Sequence, residues 1–480
     1  MSLGAMSRCL VRTSQRLNKP LVYRTLSNMA TAHTIHITPE NTGLWKIQQD
    51  ETAAKKVTEL LQTDLEKHHV YFNEDGFHNH ISHHLLSLFG TGASAEQLQK
   101  GYDVNTTYQR PSTRLHEKVV DELENWDAAK SRLGKGQYYN DFLAFFERQI
   151  EKLGWKQVLK EYMFNGDEKS EDMMVRMLSG VLHPLIQLMY GIEWDQPAMV
   201  AMGLAQACVH DEKIGKFLLE AEQVSKESSA PMPAIAILLD AARSNKKLAT
   251  VSKKEIRNNT FKSVFAKAWD EIVEVAGRVK VKPEELEERT AEMYHTAIFE
   301  AAAPALAHPS KEPKFDFFLM HLVNVCPALI TINSFDWVPL EDKVRLLEWL
   351  IRMDILQYAA AACPPLPLER LSSYVPKDKK AGPANDQLPR LFNLEEDGHA
   401  IKLFRAVRLG KTISEKYDDK GWIKIKGDMW EKLSHLVVDA VEAGGPRWIF
   451  CTGDPTTWDE VPDRRDTVNG VTEKLDQVHL

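Results

Sequence analysis

The chain has 480 residues, of which 43% are hydrophobic and 27% charged, and a formal net charge of -8. That length can bury a site completely, whereas the acidic balance gives no electrostatic basis for binding nucleic acid. No uncharged apolar run reaches the roughly twenty residues a membrane-spanning helix requires, so no membrane association is expected. The cysteines, Cys9, Cys208, Cys326, Cys363 and Cys451, are far apart without a C-x-x-C pair, which argues against structural zinc or a disulfide framework and fits a reducing compartment.

Before Glu40 there is no acidic residue, while Arg8, Arg12, Arg16, Lys19 and Arg24 alternate with Ser, Thr and Leu. This composition is that of a mitochondrial transit peptide, or of an extension upstream of a second start at Met29. Residues 1–35 are therefore expected to lie outside the fold, with a body over 45–450 and a tail over 451–480, in the cytoplasm or mitochondrion. Apolar residues at three- and four-residue steps predict a helix over 51–69. The same period predicts helices over 138–153, 171–190, 260–279, 284–302, 315–332, 340–362, 398–406 and 429–443. No alternating strand series accompanies them, so the fold class is mainly α, a large bundle-like body, in whose core the single histidines on separate helices suit a metal site. Breaks are expected at Pro111, Pro231 and Pro233, Pro309 to Pro313, and across an irregular connection from Pro364 to Pro389.

Two nucleotide lookalikes fail on context. Gly90-Thr-Gly-Ala-Ser-Ala95 follows a helical run instead of the strand that a dinucleotide turn needs, and Gly134-Lys-Gly136 lacks P-loop spacing. The histidines carry more information. In Phe77-His-Asn-His-Ile-Ser-His-His84, a turn at Asn73, Asp75 and Gly76 leads into a helix on which His80 and His84 share a face, and an i, i+4 pair can hold one metal ion. His183 falls in a helix expected to start at Ser170 and to kink at Pro184, freeing the Gly180 carbonyl. His321 lies among Phe317, Phe318, Met320 and Val325, where a charged imidazole is costly. His399 follows Glu395, Glu396 and Asp397, any of which can orient an imidazole. Each histidine taken alone also reads as a core or surface residue with one hydrogen bond.

The segments YFNEDGFHNHISHHLLSLFGTGASAEQLQKGYDVNTTYQRP, LSGVLHPLIQLMYGIEW, FDFFLMHLVNVCPALITI and DGHAIKLFRAV occur in this order over residues 45–450. In them the chain resembles the questin oxidase-like family. The resemblance implies an oxygenase that opens anthraquinone-type rings with a Baeyer-Villiger outcome in fungal polyketide secondary metabolism. It also implies Fe(II) held by His80, His183, His321 and His399, with Lys377 as a carboxylated fifth ligand, a departure from the usual facial triad. His78, His83 and His84 compete with His80, and Lys379 and Lys380 with Lys377. Gln187 stands where the family often carries a second basic residue.

Tyr108, Gln109, Tyr190 and Trp337 are candidates to orient a flat aromatic substrate. The expected partners are that small aromatic molecule and dioxygen. With no Rossmann fingerprint, NADPH is expected to act only through a separate reductase. The competing expectations are an NADPH- or flavin-assisted Baeyer-Villiger monooxygenase and a helical binding protein without chemistry.

Overall fold

The computed structural model describes residues 29–250, 261–378 and 382–464. Among the described residues the structure is helical, and extended chain occurs only as isolated bridges such as Tyr71 to His78 and Asp316 to Ile449. The periodic segments form helices at Glu51–Lys67, Tyr139–Leu153, Lys262–Ala276, Leu286–Ala302, Leu340–Ala360 and Met429–Glu442, and the last two pack a nearly continuous apolar face into the core. The helix expected over 398–406 runs on to give His399–Ser414. The four described cysteines are free and buried, and no helix among the described residues is long and apolar enough to cross a membrane.

The core reaches beyond the expected body on both sides. Ala32 and Ile35 are buried, the Ile35 amide donates to Gln62 Oε1 at 2.9 Å, and after residue 450 Cys451, Trp458 and Val461 are buried. The composition that suggests a transit peptide falls mainly on residues 1–28, outside the described residues. The connection from Pro364 to Pro389 holds short helices at Leu368–Ser372 and Ala384–Gln387.

Two expected helices are broken. The segment over 171–190 begins earlier, at Glu168–Met177, where Asp167 is the N-cap and Ser170 closes a reciprocal capping box, correcting the expected cap at Ser170. It then stops, because Gly180, Val181 and Leu182 adopt φ of 54°, 54° and 68°. Left-handed backbone at Val and Leu is strained and persists only where the surroundings impose it. A Cβ at Gly180 would lie 2.3 Å from His210 Cε1, so that position admits only glycine.

The next helix, His183–Glu193, starts on the histidine with Pro184 in its first turn, where a missing N–H costs nothing. Pro184 therefore starts a helix instead of kinking one. The segment over 315–332 divides in the same way at Pro327, into Phe317–Val325 and Pro327–Asn333.

Candidate metal centre

Each of the four predicted ligands is aimed by a helix start or a cap. His80 is the N-cap of the helix Ile81–Thr91 and His183 opens His183–Glu193. His321 lies one turn into Phe317–Val325, whose first turn is fixed by Asp316 accepting from the amides of Phe318 and Thr452, both at 2.9 Å. His399 opens His399–Ser414 after Gly398, whose φ of 94° turns the chain and whose missing Cβ would otherwise sit 2.6 Å from His84 Cβ. Helix His399–Ser414 packs against Ile81–Thr91 and Phe317–Val325, so the histidines converge from separate parts of the chain.

The convergence is through Nε2. His80 and His183 approach to 2.9 Å, and His321 and His399 to 3.2 Å. Ligand atoms of His80, His183 and His399 all lie within 4.8 Å of one another. Every Nδ1 faces an acceptor: His183 the Gly180 carbonyl at 2.7 Å, His321 the Phe317 carbonyl at 2.5 Å, and His80 and His399 the two oxygens of Asp397 at 3.1 and 2.6 Å. An Nδ1 that donates leaves Nε2 as the unprotonated nitrogen.

The lone pairs of His80, His183 and His399 therefore share one space and that of His321 meets His399's, with no proton between the paired nitrogens, which is repulsive unless a cation occupies the space. This donor set fits a first-row metal ion, and the carbonyls and Asp397 act as the outer acceptors that fix imidazole orientation in such sites. The pair His78 and His210 is different. Their Nε2 atoms lie 2.8 Å apart, but neither Nδ1 is committed as a donor to an acceptor, so one Nε2 can carry the proton.

Burial keeps the imidazoles neutral. All four are at most 5% exposed, and desolvation is the first cause of their lowered pKa, down to about 3 for His80. The walls are aromatic: Phe317 packs 4.6 Å from His321 and 5.2 Å from His399, with Trp448 6.0 Å from His399. These half-buried rings shield the imidazoles on that side. Asp397 leads outward, its side chain 34% exposed.

The remaining candidates separate. His84 faces Asn105 at 3.3 Å, His83 turns its Nδ1 to Lys402 with its ring 4.9 Å from that of His80, and His78 stacks on His183 at 3.8 Å between ring centroids. Lys377 is 38% exposed and ion-paired with Glu312 at 2.7 Å, while Lys379 and Lys380 lie outside the described residues.

The lysine that the fold places beside the histidines is Lys402. It is 2% exposed, one helical turn after His399, with Nζ 3.1 Å from His83 Nδ1, and burial lowers its pKa to about 8 against the opposing pull of Asp397 and Glu396. Sequence reasoning missed it, although a lysine three residues after a ligand histidine in the apolar run His-Ala-Ile-Lys-Leu-Phe was the available signal.

Among the proposed substrate contacts, Tyr190 is buried behind His83 and hydrogen-bonded to Ser87 at 2.6 Å. Gln109 donates to the Asn105 carbonyl at 3.0 Å, and Tyr108 is 40% exposed. Gln187 accepts from Ser82 at 2.7 Å. Trp337 packs with Trp155, Phe164 and Phe335, and among the described residues no histidine ring lies against it.

The chain is 32% identical over 446 residues to the Baeyer-Villiger oxidase ptaJ of Pestalotiopsis fici, covering 90% of this chain and 99% of that one. It is 32% identical over 449 residues to the questin oxidase of Aspergillus fumigatus, covering 90% and 100%. The same identity over 446 residues relates it to the Baeyer-Villiger monooxygenase dmxR6 of a Cryptosporiopsis species, covering 89% and 98%. The questin oxidase-like family profile matches residues 77–407, which takes in all four convergent histidines, and the chain belongs to that family of oxidases.

Proposed function

We propose that the protein is a non-haem iron-dependent oxygenase that cleaves a carbon-carbon bond of a polycyclic aromatic, such as a reduced anthraquinone, in secondary metabolism. The observation that carries this reading is the buried convergence of four histidines through Nε2, His80 with His183 and His321 with His399, each with its Nδ1 against an acceptor. Relatives named questin oxidase and Baeyer-Villiger oxidase support the substrate class and the outcome. His80, His183, His321 and His399 would hold the iron. Four neutral imidazoles supply no countercharge, so an anionic group is needed nearby, and Asp397 provides part of it through His80 and His399.

A lysine carbamate would provide the rest. On position, Lys402 suits this role better than Lys377, because its Nζ is buried within the histidine group and is not neutralised by a carboxylate contact. When bound, Fe(II) with an open position makes dioxygen reactive toward an organic substrate. The chain's own contribution is to fix the imidazole tautomers through Gly180, Phe317 and Asp397 and to shield the imidazoles with Phe317 and Trp448.

The test is dioxygen uptake by Fe(II)-loaded protein given a chemically reduced anthraquinone, with labelled dioxygen followed into the ring-opened product. Uptake and label incorporation should require iron, and Lys402→Met should reduce both by at least about tenfold, the lower end of what second ligands and outer partners contribute. Full turnover by chelator-treated protein supplied with NADPH and flavin would refute the iron reading and favour a flavin-assisted monooxygenase.

A further inference from the structure

Large aromatic side chains seldom stay exposed next to a catalytic site without a partner. Phe77 is 50% and Tyr108 40% exposed, and Phe72 joins them, its ring centroid 5.9 Å from Phe77 and 5.0 Å from Tyr108. The three rings are held in place. Residues 70–79 form a tight reversal in which the Phe72 amide donates to the Phe77 carbonyl at 2.8 Å and the Asn79 amide to the Val70 carbonyl at 2.7 Å. Asn73 Oδ1 accepts from the Phe77 amide at 2.9 Å. This reversal ends on His80, so the platform and the first histidine share one rigid segment.

Tyr108 ties the other side. Its hydroxyl donates to Asn105 Oδ1, and Asn105 Nδ2 donates in turn to the Glu396 carbonyl at 3.0 Å, immediately before Asp397. The negative charges of Asp397 and Glu396, after burial, raise the Tyr108 hydroxyl pKa, which places that hydroxyl within their field. The aromatic cluster is thus tied through Asn105 to the segment that carries the half-exposed Asp397.

We infer that Phe72, Phe77 and Tyr108 form a reception platform for a planar polycyclic phenol, stacking its rings at the threshold of the site while its hydroxyl meets the free lone pairs of Asp397. This inference rests on the oxygenase reading for its ligand class. Edge-to-face and offset contacts with a flat π-system suit the mutual tilt of these rings, and a carboxylate at one end selects a hydroxylated edge over a bare hydrocarbon.

The test is equilibrium titration of the full, chelator-treated chain with 1,8-dihydroxyanthraquinone, a probe that needs no metal or oxygen to bind. Phe77→Ser should weaken binding about fivefold, as loss of one aromatic contact implies, and Phe77→Tyr should restore it. Iron content after reconstitution should match wild type in both, because Phe77 makes no side-chain hydrogen bond to the histidines. Equal affinity in Phe77→Ser and wild type, or no binding by wild type, would overturn the platform. A wild type that turns over a reduced anthraquinone while Phe77→Ser binds the probe normally would remove the platform and leave the oxygenase reading standing. Probe binding that depends on Phe77, without turnover of any reduced anthraquinone, would do the reverse.

Discussion

Asp397→Asn should lower metal affinity by about 10- to 100-fold while leaving the fold intact, measured by competition with a chelating dye and checked by circular dichroism. Asp397 accepts from His80 Nδ1 at 3.1 Å and from His399 Nδ1 at 2.6 Å. An asparagine presents one oxygen and one amide nitrogen. The oxygen can still accept from one imidazole, but the NH2 meets the N–H of the other and forces it to its opposite tautomer. That histidine then points an Nε2–H at the cluster and stops being a ligand. A loss of negative charge beside two cation-binding imidazoles acts in the same direction. Metal affinity equal to wild type would show that Asp397 does not set the tautomers.

Asp354→Asn should stabilise the protein at pH 8 by on the order of 1–3 kcal/mol and make its melting temperature less dependent on pH. Glu300 and Asp354 are both 0% exposed, lie close enough for each to shift the other's titration, and their four oxygens find no donor among the described residues, so a proton shared between them is the arrangement that satisfies both. Burial raises Glu300 well above the usual carboxylate range, and it raises Asp354 to about 7. Asp316, Cys326 and Cys363 share this region and contribute no positive charge.

The sign follows from proton binding. Between the unfolded values of 3.8 and 4.5 and the raised folded values, the native state holds more protons than the unfolded state. Stability is therefore full below about pH 4 for these groups and falls as pH rises toward and through 7. The side-chain amide introduced by Asp354→Asn would donate an N–H to Glu300 without needing a proton from solvent, which removes Asp354's share of that loss and its repulsion of Glu300, while the share due to the burial of Glu300 stays. A variant less stable than wild type at pH 8, with the same pH slope, would contradict the shared-proton arrangement.

The helical class was legible because helix period depends on local apolar spacing, and Glu51–Lys67, Leu340–Ala360 and Met429–Glu442 show it directly. The break before His183 was not. Left-handed φ at Val181 and Leu182 is a tertiary imposition, and neither residue type signals it. At the site, spacing alone offered His80 with His84 as a pair, yet His84 turns to Asn105 while His80 meets a histidine 103 residues away. His183, His321 and His399 stood out as single histidines on separate helices, but only the family resemblance implied that they share one metal with His80.

The tautomer argument required the acceptors of Nδ1. Asp397 was visible as an acidic neighbour of His399, but the Phe317 carbonyl was not, since an intrahelical backbone group acquires this role only when the ring folds back onto it. Lys377 and Lys402 show the limit most clearly. Both are lysines near acidic residues in sequence, and what separates them is burial, 38% exposure of one side chain against 2% exposure of the other residue.

Metal analysis of the anaerobically purified chain after reconstitution with Fe(II), beside the His80, His183, His321 and His399 alanine variants, tests the central claim most directly. The arrangement of four inward Nε2 atoms predicts about one iron per wild-type chain, with retention strongly reduced in each variant while helical content is kept. No specific iron in wild type, or undiminished iron in the four variants, would contradict it.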